Sequence, residues 1–246
     1  MCLNSGSGIL HRAFAVQCHP ILFEVYVKNI VILISGGGSN MKAIVEHARK
    51  NAWQAQGVAR IAAVVSNRAD AGGLAYAAQQ GIPTVVLSHK AFASREAYDA
   101  ELMKRIDDFA PDLVVLAGFM RILTPEFTQH YERRMLNIHP SILPNFKGLH
   151  THEQALNAGV KVHGATVHGV TAELDHGPIV IQSCVPVLAD DDADTLAARV
   201  LKTEHIIYPQ VVEWFVRGGL IWDDAGIRLH PSVGGAAQVV FANDAQ

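Results

Sequence analysis

Five consecutive apolar residues, Ile30-Val31-Ile32-Leu33-Ile34, stop at Ser35-Gly36-Gly37-Gly38, and further apolar runs follow at Ile61 to Val65, Thr84 to Leu87 and Leu113 to Ala117. Uninterrupted runs rich in β-branched residues fit strands buried on both faces, as in parallel sheets. The stretches between them have helical length and character, an alternation that builds βαβ units and predicts an α/β fold with a doubly wound, mostly parallel sheet. The helix after Ser94 is the most legible. Tyr98, Leu102, Ile106 and Phe109 recur at turn spacing, with Ser94 as N-cap and Pro111 as the stop.

The second half changes style. Loops rich in His, Gly and Pro separate what read as shorter strands near Met135 to Ile138, Lys161 to His168 and Ile179 to Pro186. A long helix is expected from Asp194, carrying Leu196, Val200, Ile207, Val211 and Trp214 inward. Pro209 lacks a backbone N–H and is expected to kink or split that helix near Tyr208. Residues 1–28 lack helical periodicity and read as a poorly ordered extension ahead of the fold. A single domain is expected over 29–220, with one lobe over about 29–120 and a second over about 121–220. Residues 221–246 read as a tail that frays from about His230.

Composition narrows the function classes. The 246 residues are 50% apolar and 17% charged, enough to bury a sizeable core and too apolar for a disordered scaffold. A formal net charge of −3 gives no electrostatic reason to expect a nucleic acid as ligand, so any anion must be met locally. Cys2, Cys18 and Cys184 show no paired spacing, which suits a reducing compartment. Ala13-Phe14-Ala15 resembles a cleavage site, yet no apolar stretch long enough for a signal peptide precedes it, and Ile21 to Val27 is too short to span a bilayer. A cytoplasmic protein without a membrane anchor is expected.

The glycine loop, Ser35 to Asn40, lies between a buried strand and a helix. Backbone N–H groups there can converge on an anion at the positive end of the helix. A dinucleotide fingerprint fits poorly, because its third glycine position falls on Met41 and the second strand ends in Ser66-Asn67. No Gly-Lys-Ser/Thr follows, so a P-loop is absent too. A single phosphate monoester suits the loop best; a tight turn without a ligand is the alternative.

Asn137 and His139 share one side of a strand by alternation, so an amide and an imidazole can meet one carbonyl. Glu173-Leu174-Asp175-His176-Gly177-Pro178 then offers a carboxylate on a loop. A carboxylate beside an imidazole favours its protonated form, which suits proton donation. Taken alone, a His at a strand end is more often a hydrogen-bonded structural residue. The thirteen histidines, above all His150 and His152 and the series His163, His168 and His176, suggest a metal, but no H-E-x-x-H helix or accompanying Cys pair imposes a site; none is expected, and they read as surface or loop histidines. No G-x-S-x-G elbow supports a serine hydrolase.

In order, Ile34 to Asn40, Ala117 to Leu123, Leu136 to Ser141, Lys147 to His152 and Glu173 to Pro178 closely resemble the phosphoribosylglycinamide formyltransferase family, over about Asn29 to Leu220. The resemblance implies a Rossmann-like N-terminal half, the formyltransferase fold, and a nucleotide lobe followed by a folate and catalytic lobe. It implies transfer of a formyl group from 10-formyltetrahydrofolate to glycinamide ribonucleotide in purine (IMP) biosynthesis, without a metal, by a cytoplasmic monomer or homodimer.

Residue by residue, it implies a catalytic trio of Asn137, His139 and Asp175. The ribonucleotide would meet Gly38, Ser39 and Asn40 and the stretch Leu201, Lys202, Thr203 and Glu204. The folate would meet Arg95, Met120, Arg121, Ile122 and Leu123, then Asn137 and Val170, Thr171, Ala172, Glu173, Leu174 and Asp175. Arg95 is apt for the folate's glutamate carboxylates, since a guanidinium binds a carboxylate through paired donors. Gly37 departs from the family, where a polar residue is usual, and the first 28 residues have no counterpart. Methionyl-tRNA formyltransferases and formyltetrahydrofolate deformylases share the trio, but the former normally carry an extra RNA-binding domain and the latter an N-terminal regulatory one, neither of which is expected here. A non-catalytic nucleotide-binding module would keep the glycine loop and need no trio.

Overall fold

Each apolar run becomes a strand. The computed structural model describes residues 26–233 and 238–241, so the expected N-terminal extension lies almost wholly outside the described residues. β1 (Lys28–Ile34), α1 (Ser39–Lys50), β2 (Ala59–Ser66), α2 (Gly72–Gln79), β3 (Thr84–Val86), α3 (Arg95–Asp107) and β4 (Leu113–Leu116) make the first half. β1 already begins at Lys28, within the stretch read as extension. α4 (Pro125–His130), β5 (Met135–His139), α5 (Thr151–Asn157), β6 (Val162–Gly169), β7 (Ile179–Pro186) and α6 (Ala193–Val216) follow. A hairpin of β8 (Leu220–Asp223) and β9 (Gly226–Leu229), then β10 (Val239–Phe241), complete the described fold.

The eight-stranded sheet has the order β10-β7-β6-β5-β4-β1-β2-β3. β3, β2, β1, β4 and β5 run parallel; β6 is antiparallel to both β5 and β7, and β10 lies parallel to β7. Alternation along β1 sends Ile30, Ile32 and Ile34 to one face, with α1 and α6, and Val31 and Leu33 to the other, with α3 and α4. Burying each such side chain contributes about 1.5–3 kcal/mol. Chain order reverses between β1 and β4, and an open α/β sheet places its crevice beyond the strand ends at such a switch point.

Several expectations need correction. β6 and β7, at eight residues each, are as long as β2 and longer than every other strand, because their pairing covers nearly their full length. α3 does start on Ser94, whose hydroxyl accepts the Ala97 N–H at 3.1 Å, but it ends at Asp107, so Phe109 packs from beyond the helix and Pro111 is not what stops it. α6 begins after Asp192, whose capping box with Thr195 fixes its first turn, and it runs unbroken through Pro209. A proline inside a helix costs about 3 kcal/mol or more. Here that loss is outweighed by packing: Ile207, Tyr208, Val211 and Val212 are fully buried, and the Tyr208 hydroxyl lies 3.0 Å from the carbonyls of both Leu116 and Leu136.

The C-terminal stretch is more than a fraying tail. In the β8–β9 hairpin, Trp222 and Ile227 close on Gly169, Gly226 abuts Pro178, and Arg133 pairs with Asp224 at the turn. Beyond His230, Val239–Phe241 extends the sheet at its edge, pairing with Gln182 to Cys184. No described helix is long and apolar enough to cross a membrane.

Candidate active site

The glycine loop leaves β1 at Ser35 and reaches α1 through Gly38, whose φ of 66° belongs to the left-handed region that a glycine adopts without strain. Gly38 offers no side-chain cap to α1, so the first-turn N–H groups are left for something else. The Ser35 hydroxyl donates to Asn67 Oδ1 at 2.7 Å and accepts the Met120 N–H at 2.8 Å, tying together the ends of β1, β2 and β4. The resulting cavity of about 500 Å³ is lined by Ser35 to Asn40 on one side and Gly118, Met120 and Arg121 on the other. It sits at the topological switch point.

α6 meets the wall of this cavity through Glu204, which bonds the lining residue Asn40. The Asn40 Nδ2 donates to its carboxylate at 2.6 Å, and burial pushes that carboxyl up while Asn40 opposes the shift. The four residues Leu201 to Glu204 do not share one face. Lys202 is exposed, and Thr203 turns inward, its hydroxyl bonded to the Val200 carbonyl and lying 2.7 Å from Ser183 on β7.

Asn137 and His139 occupy alternate positions of β5, as the pattern predicts, and Pro140 follows as the strand ends. His139 is 5% exposed. Its Nε2 donates to the Phe146 carbonyl at 3.0 Å, and its Nδ1 lies 3.5 Å from Asp175 Oδ2. Asp175 holds a φ of 50°, unusual for a residue with a side chain, and its Oδ2 accepts the Gly148 N–H at 2.9 Å. The structure therefore brings His139 and Asp175 together, with Asn137 two residues before His139 on the same strand, and it shows two backbone partners, Phe146, which no sequence pattern singles out, and Gly148, which lies in the Lys147 to His152 stretch.

His168 and His163, expected as surface or loop histidines, are instead buried on β6, because that strand lies inside the sheet between β5 and β7. His168 pairs across the sheet with Asn137. Its Nδ1 lies 2.8 Å from the Gly169 carbonyl, so that nitrogen is the donor and Nε2 the acceptor. Nε2 then takes the Asn137 Nδ2–H at 3.2 Å, which fixes which way the amide faces. Burial lowers the His168 pKa, consistent with this neutral tautomer. Only the antiparallel β5–β6 register could have exposed this pair, and register is not written in local composition.

The other expected contacts are distributed differently. Met120 and Ile122 project from the protein with 71% and 60% exposure, whereas Leu123 is buried among Phe119 and Phe127 in the core. Thr171 to Leu174 form an exposed loop leading to buried Asp175. Arg95 is exposed at the start of α3, 3.8 Å from Glu96, and does not line the cavity.

A second set of histidines backs the trio. His163 is fully buried, its ring 5.2 Å from that of His152 and 5.8 Å from that of Phe146. Burial pushes its pKa down to about 4, helped by His152 and His139 and opposed by the Pro140 carbonyl. In the unfolded chain the ring would titrate near 6.5, so on acidification the unfolded state takes up the proton first. The contribution of this neutral burial is complete above pH 6.5 and is lost as the pH falls towards 4. Thermal melts across that window are expected to show a declining Tm, and the His163→Leu variant a shallower decline.

Among known proteins, the formyl transferase family model matches residues 28–212. Phosphoribosylglycinamide formyltransferase of Escherichia coli (strain K12) is 56% identical over 209 residues, covering 82% of this chain and 96% of that protein. Two solved phosphoribosylglycinamide formyltransferases superpose well. That of Coxiella burnetii has a TM-score of 0.77 at 46% identity, covering 82% of this chain and 93% of its own. That of Brucella melitensis has a TM-score of 0.71 at 51% identity, covering 79% and 98%. Since the family match runs from the glycine loop through the strand of Asn137 and His139 and past the loop of Asp175, the chain belongs to the formyl transferase family.

Proposed function

We propose that this protein transfers the formyl group of 10-formyltetrahydrofolate to the amine of 5-phosphoribosylglycinamide. The observation that carries the reading is the coincidence of an uncapped helix start at Gly38 with the Asn137, His139 and Asp175 cluster, in a chain 56% identical to the E. coli enzyme of that name. The substrate phosphate meets the N–H groups of Gly38, Ser39 and Asn40, where the α1 dipole favours an anion. The Glu204 carboxylate, held by Asn40, accepts from the ribose hydroxyls in this reading. The folate lies along Met120 to Leu123 and the Val170 to Leu174 loop, with Arg95 and Arg121 supplying cationic partners for its glutamate tail. Leu123 serves there through its backbone, since its side chain belongs to the core.

In the reaction the neutral amine attacks the formyl carbon, forming a C–N bond and moving the carbonyl electron pair onto oxygen. The Asn137 amide, oriented by His168, and the protonated His139 ring stabilise that oxyanion. With Nε2 anchored on Phe146, Nδ1, beside Asp175, is the ring nitrogen left to act on the oxyanion. Its 3.5 Å separation from Asp175 is that of an ion pair with the charged ring, longer than a good hydrogen bond. Asp175 takes the proton leaving the amine and returns it, through a water, to the folate nitrogen as the old C–N bond breaks. The protein's further contribution is to hold two substrates in attacking geometry.

The test follows the absorbance change as 10-formyltetrahydrofolate is consumed, with and without glycinamide ribonucleotide. Consumption that requires the ribonucleotide is the expected result. Consumption that ignores it would identify a hydrolase, and none at all with ribonucleotide still bound would identify a binding module.

A further inference from the structure

Beneath the segment Met120 to Thr124 lies a group of polar side chains that the proposed chemistry does not use. Tyr98 and Asp99, adjacent on α3, are each 1% exposed. The Tyr98 hydroxyl, Asp99 Oδ1 and Arg121 Nε are buried without a hydrogen-bond partner. Native proteins rarely leave such atoms unpaired, so their presence calls for a reason other than stability.

The bonds that are made supply it. Asp99 Oδ2 accepts the backbone N–H of Thr124 at 2.6 Å, the shortest hold on this stretch of chain. Burial raises the Asp99 carboxyl, while Thr124 and the neighbouring Arg95 and Arg121 favour its charged form. The Tyr98 ring receives the Arg121 guanidinium at 5.7 Å from its centroid, and is itself wedged by Phe92 at 5.6 Å. Phenol burial keeps its hydroxyl neutral, so the ring face acts alone. One residue thus grips the backbone at the end of the segment and the other grips the side chain near its start. Met120, just before the first grip, and Ile122, between the two, project outward although both are apolar.

We propose that Tyr98 and Asp99 are positioning residues for the folate substrate: they pin the Met120–Thr124 segment from below, so that its exposed apolar side chains and the Arg121 cation stand preset for a flat, anionic-tailed ligand. The inference rests on the reading that this segment meets the folate. Presetting matters because a floating loop would have to be ordered at the moment of binding, which weakens affinity without changing the chemical step.

The experiment measures KM for 10-formyltetrahydrofolate, KM for glycinamide ribonucleotide and kcat in the full-length protein. Asp99→Ala is expected to raise the folate KM about tenfold, the fold-change of a lost charge-assisted hydrogen bond, with ribonucleotide KM and kcat per folded protein nearly unchanged. Asp99→Asn retains an oxygen for Thr124 and should recover most of the affinity. Tyr98→Leu should raise the folate KM several-fold, and Tyr98→Phe, which keeps the ring, should restore it. This second pair decides the matter if the Asp99 variants do not fold.

A merely structural role would lower the active fraction and leave KM alone, and that result overturns the inference. Ile122→Asp separates the two levels. If it leaves the folate KM unchanged, the segment does not meet the folate and the underlying reading fails. If it raises that KM while Asp99→Ala and Tyr98→Leu do not, the positioning role alone is rejected.

Discussion

Replacing His139 with alanine should lower kcat about 10²–10³-fold, the loss seen when one preorganised donor to an oxyanion is removed, worth roughly 2.7–4 kcal/mol. The effect is large because the ring is 5% exposed, where few water molecules can take its place. Both its nitrogens face oxygen atoms, Phe146 O at 3.0 Å and Asp175 Oδ2 at 3.5 Å, so the ring is held in orientation before substrate arrives. Equilibrium binding of each substrate, measured separately, should change little. Unchanged turnover would remove His139 from the chemistry, and lost binding with intact kcat would recast it as a docking residue.

The second large effect is expected at a glycine that touches neither substrate. Gly177 ends the loop that carries Asp175, and a Cβ added there would stand 1.7 Å from the Gly169 carbonyl oxygen. That contact is backbone on backbone and cannot be relieved by a side-chain rotation. The loop base is closed by the Gly169 N–H bonding to the Pro178 carbonyl at 2.9 Å, so relief must come from moving the loop itself. Gly177→Ala should therefore displace Asp175 from His139 and reduce kcat/KM on the order of 10²-fold, the sensitivity expected for a shift of about 1 Å in a reacting group. Overpacking of this kind also costs about 1–3 kcal/mol of stability, so activity must be measured on the folded fraction below Tm. Full activity in that fraction would show that the loop adapts.

Those two residues differ in how far the sequence announces them. His139 lies on a strand whose apolar run and Pro140 stop are both local signals, and alternation alone places it on the same side as Asn137. The parallel first half was legible for the same reason: β1, β2 and β4 are apolar runs joined by helical stretches, which implies parallel strands, although their order in the sheet is not written in those runs. What local pattern does not carry is register and reach. The Asn137–His168 pair depends on where β6 lies against β5, and Tyr98 reads as one more core residue until its ring is found under Arg121. A split at Pro209 is the part of the α6 expectation the structure does not bear out, because a rule about one backbone N–H is outweighed by the burial of a whole helix face. Thr203 shows the limit of carrying over a block of four residues, since consecutive helical positions point in different directions.

The β8–β9 hairpin gives the fold a consequence for how this protein can be cut. The matched region stops at residue 212, before Trp222 and Ile227, the side chains that lean on Gly169. A truncation drawn at that limit would retain every group assigned to substrate or chemistry and yet strip the outer support from the strand end where the Asp175 loop departs. The smallest piece that contains the reactive groups is thus shorter than the smallest piece able to keep them aligned.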